Sequence, residues 1–259
     1  MKPKNKVKEK IVKGVPTFGS WIMIGHLASA EILAQAGFDW ITVDMEHTAI
    51  DYNTLQVLLA GIRSHGAEGF VRIEDNNPVV IKRVLDCGAN GIIVPLVNTR
   101  EEAERAVQAA RYPPEGFRGV SLGRASGYGD NFDDYFHSAN REIVVIAQIE
   151  HYMAVENIES IVSVEGLDGV FLGPYDLSGS MNIVAQFDHP KMKDARRKVK
   201  EATLKAGKAL GFHEVRPEAD GVKALLEEGF NFIACSIDTL FLSSASKRLM
   251  QSIVENQTS

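Results

Sequence analysis

Cysteine is scarce in this chain. The two present, Cys87 and Cys235, lie far apart in 259 residues and in no metal-like spacing. Neither a disulfide framework nor a Cys/His zinc site is indicated. Both are expected to be buried thiols in a reducing, cytoplasmic compartment. Positive charge is also in deficit: 28 Lys and Arg stand against 34 Asp and Glu, a net charge of −6. That balance argues against nucleic acid or an anionic membrane as the main partner. No apolar run reaches the length of a membrane span. The basic segment Met1–Lys13 lacks the apolar stretch of a signal peptide and is expected to form a solvated amphipathic first helix. There is no Gly-x-Ser-x-Gly elbow and no P-loop. The glycine-rich stretch Gly123–Gly129 follows no strand, so it does not read as a dinucleotide site.

Hydrophobic residues make up 45% of the chain and charged residues 24%, in a length typical of one α/β barrel. Eight apolar runs read as buried strands: Phe18–Ile24, Trp40–Glu46, Glu68–Ile73, Gly91–Val97, Ile143–Glu150, Gly169–Asp176, Ala209–Val215 and Phe230–Asp238. Helical patterns alternate with them: Ser29–Ala36, Asp51–His65, Pro78–Cys87, Glu101–Tyr112, Met153–Val164, Pro190–Ala206 and Glu218–Glu228. Most of these end at a glycine, the usual left-handed cap. Strict alternation argues for parallel strands with right-handed crossovers. Eight units in this length favour a single (β/α)8 TIM barrel spanning 1–259, with an N-terminal helical segment (1–16) and a C-terminal helical tail (239–259). Tyr112–Arg141 breaks the rhythm, and a loop that long is usually functional.

Charged residues at the ends of these runs are the informative feature, because strand C-termini build the active site of such a barrel. Glu150 and Asp176 end runs five and six and can share one hard divalent cation, Mg²⁺, Mn²⁺ or Co²⁺, with room left for waters and a chelating substrate. Arg72 ends run three and suggests an anionic substrate, or a pair with Asp44 or Glu74. His47 follows Asp44 and Glu46 and is the natural proton carrier, with Asp44 and Asp86 as candidate orienting carboxylates. His26, His65, His137, His151, His189 and His213 have weaker cases. No strand run carries a lysine in its C-terminal half, so carbonyl chemistry would have to use a metal rather than a Schiff base.

These residues sit within longer matching pieces: Gly19-Ser-Trp21, Ala36-Gly-Phe-Asp39, Asp44-Met-Glu-His47, Val71-Arg72, Leu85-Asp-Cys-Gly-Ala89 and Gly91-Ile-Ile-Val-Pro95. Further on come Arg111-Tyr-Pro-Pro-Glu-Gly116, Arg118-Gly119, Gln148-Ile-Glu150, Leu167–Leu177 and His189-Pro190. In this order they resemble the HpcH/HpaI family of metal-dependent, class II pyruvate aldolases in the phosphoenolpyruvate/pyruvate barrel superfamily. The resemblance implies Glu150 and Asp176 as metal ligands and Arg72 as the group that binds the pyruvate carboxylate. It implies His47, with Asp86 behind it, as the proton-moving dyad. Trp21 and Gln148 would line the pyruvate pocket, Asp44 the site of the second substrate, and Gly173, Pro174 and Tyr175 the backbone around the carboxylate. It implies a cytoplasmic homohexamer with exchanged C-terminal helices. Three positions depart from the pattern: His151 replaces threonine, Thr48 replaces glycine and Cys87 replaces alanine. The implied reaction is cleavage of a 4-hydroxy-2-oxo acid to pyruvate and an aldehyde. Two alternatives are a citrate-synthase-like condensation of an acetyl thioester with oxaloacetate and a non-catalytic 2-oxo acid binding protein.

Overall fold

A computed structural model describes residues 5–216 and 219–257. Residues 1–4 of the lysine-rich segment, the expected helix start at Glu218 and the last two residues of the tail lie outside the described residues. The order is α1 (Lys6–Val12), β1 (Thr17–Ile22), α2 (Leu27–Gln35), β2 (Trp40–Asp44), α3 (Tyr52–Ser64), β3 (Glu68–Arg72), α4 (Pro78–Asp86), β4 (Gly91–Val94) and α5 (Arg100–Ala110). A 3₁₀ turn (Arg124–Gly129) then precedes α6 (Phe132–Glu142), β5 (Val144–Ile149), α7 (Tyr152–Glu156), α8 (Ile158–Val162), β6 (Gly169–Leu172) and α9 (Pro174–Ser180). The chain continues with α10 (Pro190–Lys205), β7 (Ala209–Glu214), α11 (Ala219–Glu227), β8 (Phe232–Ile237) and α12 (Asp238–Gln257). All strands are parallel and close in sequence order, β8 against β1. The expected (β/α)8 TIM barrel is therefore present.

Burial on both faces explains why the strands read as unbroken apolar runs. Inward side chains form one core, including Trp21, Trp40, Phe70, Phe171 and Phe232, and outward ones form a second beneath the helices. Helix starts follow from their caps. The Asp51 carboxylate accepts from Thr54 N at 2.8 Å, and Thr99 with Glu102 makes a reciprocal capping box. Gly66 (φ +84°) and Gly88 (φ +100°) end α3 and α4 in the left-handed conformation that glycine adopts without strain.

Four expectations need correction. The lysine-rich first helix is not a solvated appendage. Val7 and Ile11 plug the base of the barrel, and Lys8 is ion-paired with Asp168. Met153–Val164 is two short helices broken at Asn157, whose side chain donates to Asn98 O at 2.9 Å instead of serving one continuous helix. Tyr112–Arg141 is not an open loop: it holds the 3₁₀ turn and most of α6. Cys87 is buried as expected, but Cys235 is only half-buried.

Strand run six ends early. β6 stops at Leu172, and Asp176 belongs to the first turn of α9. A proline at the first helical position and an acid in the first turn both favour a helix there.

Candidate active site

The C-terminal ends of β2 and β3 are joined by a charge cluster. Arg72 Nε donates to Asp44 Oδ1 at 3.0 Å and Nη2 to Oδ2 at 2.6 Å. Nε also lies 3.2 Å from Glu46 Oε2. The same Asp44 carboxylate accepts from Glu46 N at 3.1 Å and His47 N at 3.3 Å, which folds the turn after β2. Burial works against the Arg72 charge, but the bonds and charge of Asp44, with the charges of Glu46 and Glu150, together outweigh it and raise the guanidinium above its ordinary value. Nη1 has no protein partner among the described residues. Asp44 is fully buried and holds Arg72 from below. Glu46 was not singled out from the sequence. Burial raises its carboxyl, Arg72 opposes that rise, and Glu150 adds to it.

His47 projects into solvent, with Nε2 3.6 Å from Glu46 Oε2. Within this chain, His47 and Asp86 share no hydrogen bond among the described residues. Asp86 Oδ1 instead accepts from Arg118 Nη2 at 2.7 Å. Arg118 is buried against Tyr112 and Tyr135, so Asp86 fastens the 112–142 segment to α4.

The buried Glu150 follows β5. Its Oε1 accepts from Leu96 N at 2.8 Å and its Oε2 from Gln148 Nε2. Leu96 reaches it only by adopting φ +52°, a conformation that L side chains avoid. No sequence signal marks that position. Gly173 supplies the space: a Cβ there would lie 2.9 Å from Glu150 Cβ and 3.1 Å from Oε2. Gln148 Oε1 is buried without a donor. Asp176 is exposed at the start of α9. No three His, Cys, Asp or Glu side chains converge on a metal position among the described residues. A cation here would thus take at most two such side chains and complete its shell with water and substrate oxygens. The glycine-cleared cradle around Glu150 and the undonated Gln148 oxygen fit such a hard, oxygen-seeking ion.

The remaining expected site residues fall on both sides of this cluster. Trp21 is nearly buried, with Arg72 Cζ 5.4 Å from its ring centroid. Tyr175 is exposed and packs on Phe187 at 4.9 Å, and Pro174 opens α9. His151, beside Glu150, caps α7 by accepting from Met153 N at 3.2 Å. His213, given little weight in the sequence, lies against Trp21 at 5.0 Å.

Comparison with known proteins shows the family. The HpcH/HpaI aldolase/citrate lyase profile matches residues 17–245. A 4-hydroxy-2-oxo-heptane-1,7-dioate aldolase of Salmonella dublin is 39% identical over 248 residues, 95% of this chain and 93% of its own. A hydroxypyruvate/pyruvate aldolase of Roseobacter denitrificans is 36% identical over 250 residues, 95% of this chain and 96% of its own. The crystal structure of a family protein from Burkholderia cenocepacia superposes with a TM-score of 0.92 at 32% identity, covering 96% of this chain and 99% of that one. This chain belongs to the HpcH/HpaI aldolase/citrate lyase family.

Proposed function

We propose that this carbon–carbon lyase cleaves a 4-hydroxy-2-oxo acid to pyruvate and an aldehyde and catalyses the reverse condensation. The observation that carries this reading is Arg72. Asp44 fixes two of its nitrogens, and Nη1 is left free, within electrostatic reach of Glu150. A 2-oxo acid carboxylate suits that free donor. Breaking C3–C4 leaves negative charge on the pyruvate fragment, and a guanidinium already locked in place stabilises it without reorganising. His47, exposed at the mouth, takes the proton from the 4-hydroxyl, and Glu46 at 3.6 Å steadies the resulting charge. Glu150 and Asp176 would hold a divalent cation, Mg²⁺, Mn²⁺ or Co²⁺, which when bound supplies Lewis acidity to the 2-oxo group. The lysines whose amines burial holds below their usual range, Lys8 and Lys208, lie at the opposite end of the barrel around Asp168. Neither is placed to form a Schiff base at the mouth.

The assembly proposed with it is a cytoplasmic homohexamer. Support comes from α12, which exposes Leu249, Met250 and Ile253, an apolar face suited to packing on a neighbouring subunit. An apolar groove of about 590 Å³ beside α2, lined by Ile24, Ile32, Phe38, Phe241 and Leu242, would receive such a helix from a neighbouring subunit. No helix among the described residues is long and apolar enough to cross a membrane.

The test is pyruvate release from a panel of 4-hydroxy-2-oxo acids before and after EDTA treatment. Release that EDTA abolishes and Mg²⁺, Mn²⁺ or Co²⁺ restores is expected. Full activity in the stripped enzyme refutes the metal assignment. Condensation of an acetyl thioester with oxaloacetate, with no release from any member of the panel, overturns the aldolase reading.

A further inference from the structure

His213 lies on β7, inside the mouth, and takes no part in the chemistry above. Its Nε2 is 3.1 Å from Ser236 O. A ring nitrogen facing a carbonyl must carry the hydrogen, so the ring donates there, and in its neutral form keeps a lone pair on Nδ1. Burial holds the imidazole far below its usual value, at about 4. The Ser236 bond opposes that shift, and the Arg72 charge reinforces it. The ring is therefore neutral at working pH.

Ser236 is an irregular position. The β1–β8 register passes from Gly19↔Ala234 to Trp21↔Ile237, so β8 carries one extra residue there. Ser236 adopts φ +56° and is fully buried. A bulge of this kind turns a carbonyl out of the ladder and re-aims the neighbouring side chain. The displaced Ser236 carbonyl is satisfied by His213 and by Ser20 Oγ at 3.3 Å. Ser20 faces the bulge, and the first β1 residue paired beyond it is Trp21, against Ile237. His213 stacks on that indole at 5.0 Å with the rings 26° apart, and the Arg72 guanidinium lies over the same indole at 5.4 Å.

We propose that His213 is a positioning residue for substrate carboxylate binding: its ring, stacked on Trp21, backs the indole, which in turn sets the plane of Arg72. Asp44 holds the guanidinium by one edge, and the indole fixes its tilt, so Nη1 points at one place. A protonated His213 would set a second cation against the ring that Arg72 already uses. The inference rests on the reading of Arg72 as the carboxylate-binding group.

Oxaloacetate decarboxylation in saturating Mn²⁺ tests it, because that reaction uses the carboxylate site without the aldehyde. His213→Ala should raise KM about tenfold with kcat nearly unchanged, the loss of one cation–aromatic contact of about 1.4 kcal/mol. His213→Phe keeps the stacked ring and should recover most of the lost KM. His213→Gln keeps the bond to Ser236 but not the ring and should behave like alanine. A wild-type KM in His213→Ala, or a His213→Phe variant no better than alanine, overturns the proposal. If alanine does not fold, the Phe–Gln comparison decides in the same way, and if none of the three folds the role is structural and the proposal fails. Undiminished turnover in Arg72→Ala would refute the carboxylate role of Arg72, and this inference with it. That signature differs from any of the His213 results.

Discussion

Gly173→Ala probes the site through one methyl group. Gly173 has φ −100° and ψ 89°, values open to alanine, so backbone strain is not introduced. The cost is steric. The new Cβ would lie 2.9 Å from Glu150 Cβ, 3.1 Å from its Oε2 and 3.6 Å from Gln148 Nε2. Carbon atoms pack best at about 3.5–4.0 Å, so the pair must separate by roughly 0.6–1.1 Å. Glu150 follows directly on Ile149, which is fully buried in β5, and cannot recoil. The start of α9, with Asp176, has to move instead. Overpacking of this size costs about 1–3 kcal/mol, and a protein of this length loses about 2–4 °C in Tm for each kcal/mol. The activity loss should be larger in proportion, about 10²-fold for a 1 Å displacement of a positioned group. Gly179→Ala, in the same helix with nothing within 4 Å of its added carbon, is the matched control and should leave both quantities unchanged or slightly improved. The measurements are pyruvate release, a thermal melt and Mn²⁺ affinity by calorimetry. A Gly173→Ala enzyme with wild-type kcat/KM and Mn²⁺ affinity would refute the reasoning that this glycine clears the Glu150 cradle.

Arg72→Ala should lower both aldol cleavage and oxaloacetate decarboxylation by about 10²–10³-fold, and Arg72→Lys should not rescue either, because one ammonium cannot grip Asp44 at two points and keep a free donor; near-wild-type rates in steady-state assays would remove Arg72 from the mechanism. His47→Ala should depress aldol cleavage by roughly 10²–10⁴-fold and decarboxylation much less, since loss of carbon dioxide needs no proton from a 4-hydroxyl; equal losses in the two assays would assign His47 to the fold or to metal water. Burial raises the carboxyl of Glu68, whose Oε1 accepts from Lys6 N at 3.0 Å, so its contribution to stability is complete below the unfolded value of about 4.3 and is lost as pH rises through the folded value. Glu68→Gln keeps the acceptor and cannot ionise; its Tm relative to wild type should therefore improve from pH 4 to pH 7, and a constant difference across that range would contradict the assignment.

The barrel was legible because its signal is redundant. All eight strands are found because each is an apolar run separated from the next by a helical pattern, and most of those patterns end at a glycine. Their ends were overrun for a physical reason. Apolar side chains continue past the last ladder bond into the mouth, as in Phe-Leu-Gly-Pro-Tyr after Val170, where the strand stops at Leu172 and a helix opens at Pro174. The plug role of α1 was hidden by its charge. Lys8 and Lys10 look solvated in sequence, yet Asp168 and Asp39, more than twenty residues away, stand ready to pair with them.

The charges at strand ends were also legible, but their partners were not. Arg72 pairs with Asp44 because β2 and β3 are in register at those two residues. Register is fixed by the whole closed sheet, so no local pattern could rank Asp44 above Glu74. Asp86 shows the same limit. It sits in the right motif, yet a buried arginine 32 residues on takes its carboxylate and, within this chain, leaves His47 to Glu46. The features that shape the mouth most closely are backbone irregularities carried by ordinary residues. Leu96 at φ +52° turns its N–H to Glu150, and Ser236 at φ +56° turns its carbonyl to His213. A leucine or a serine can take that conformation only where surrounding contacts repay about 1–2 kcal/mol. At both positions the repayment is a hydrogen bond to a side chain at the barrel mouth. Irregularities of this kind leave no mark on residue type and are visible only once the barrel has closed.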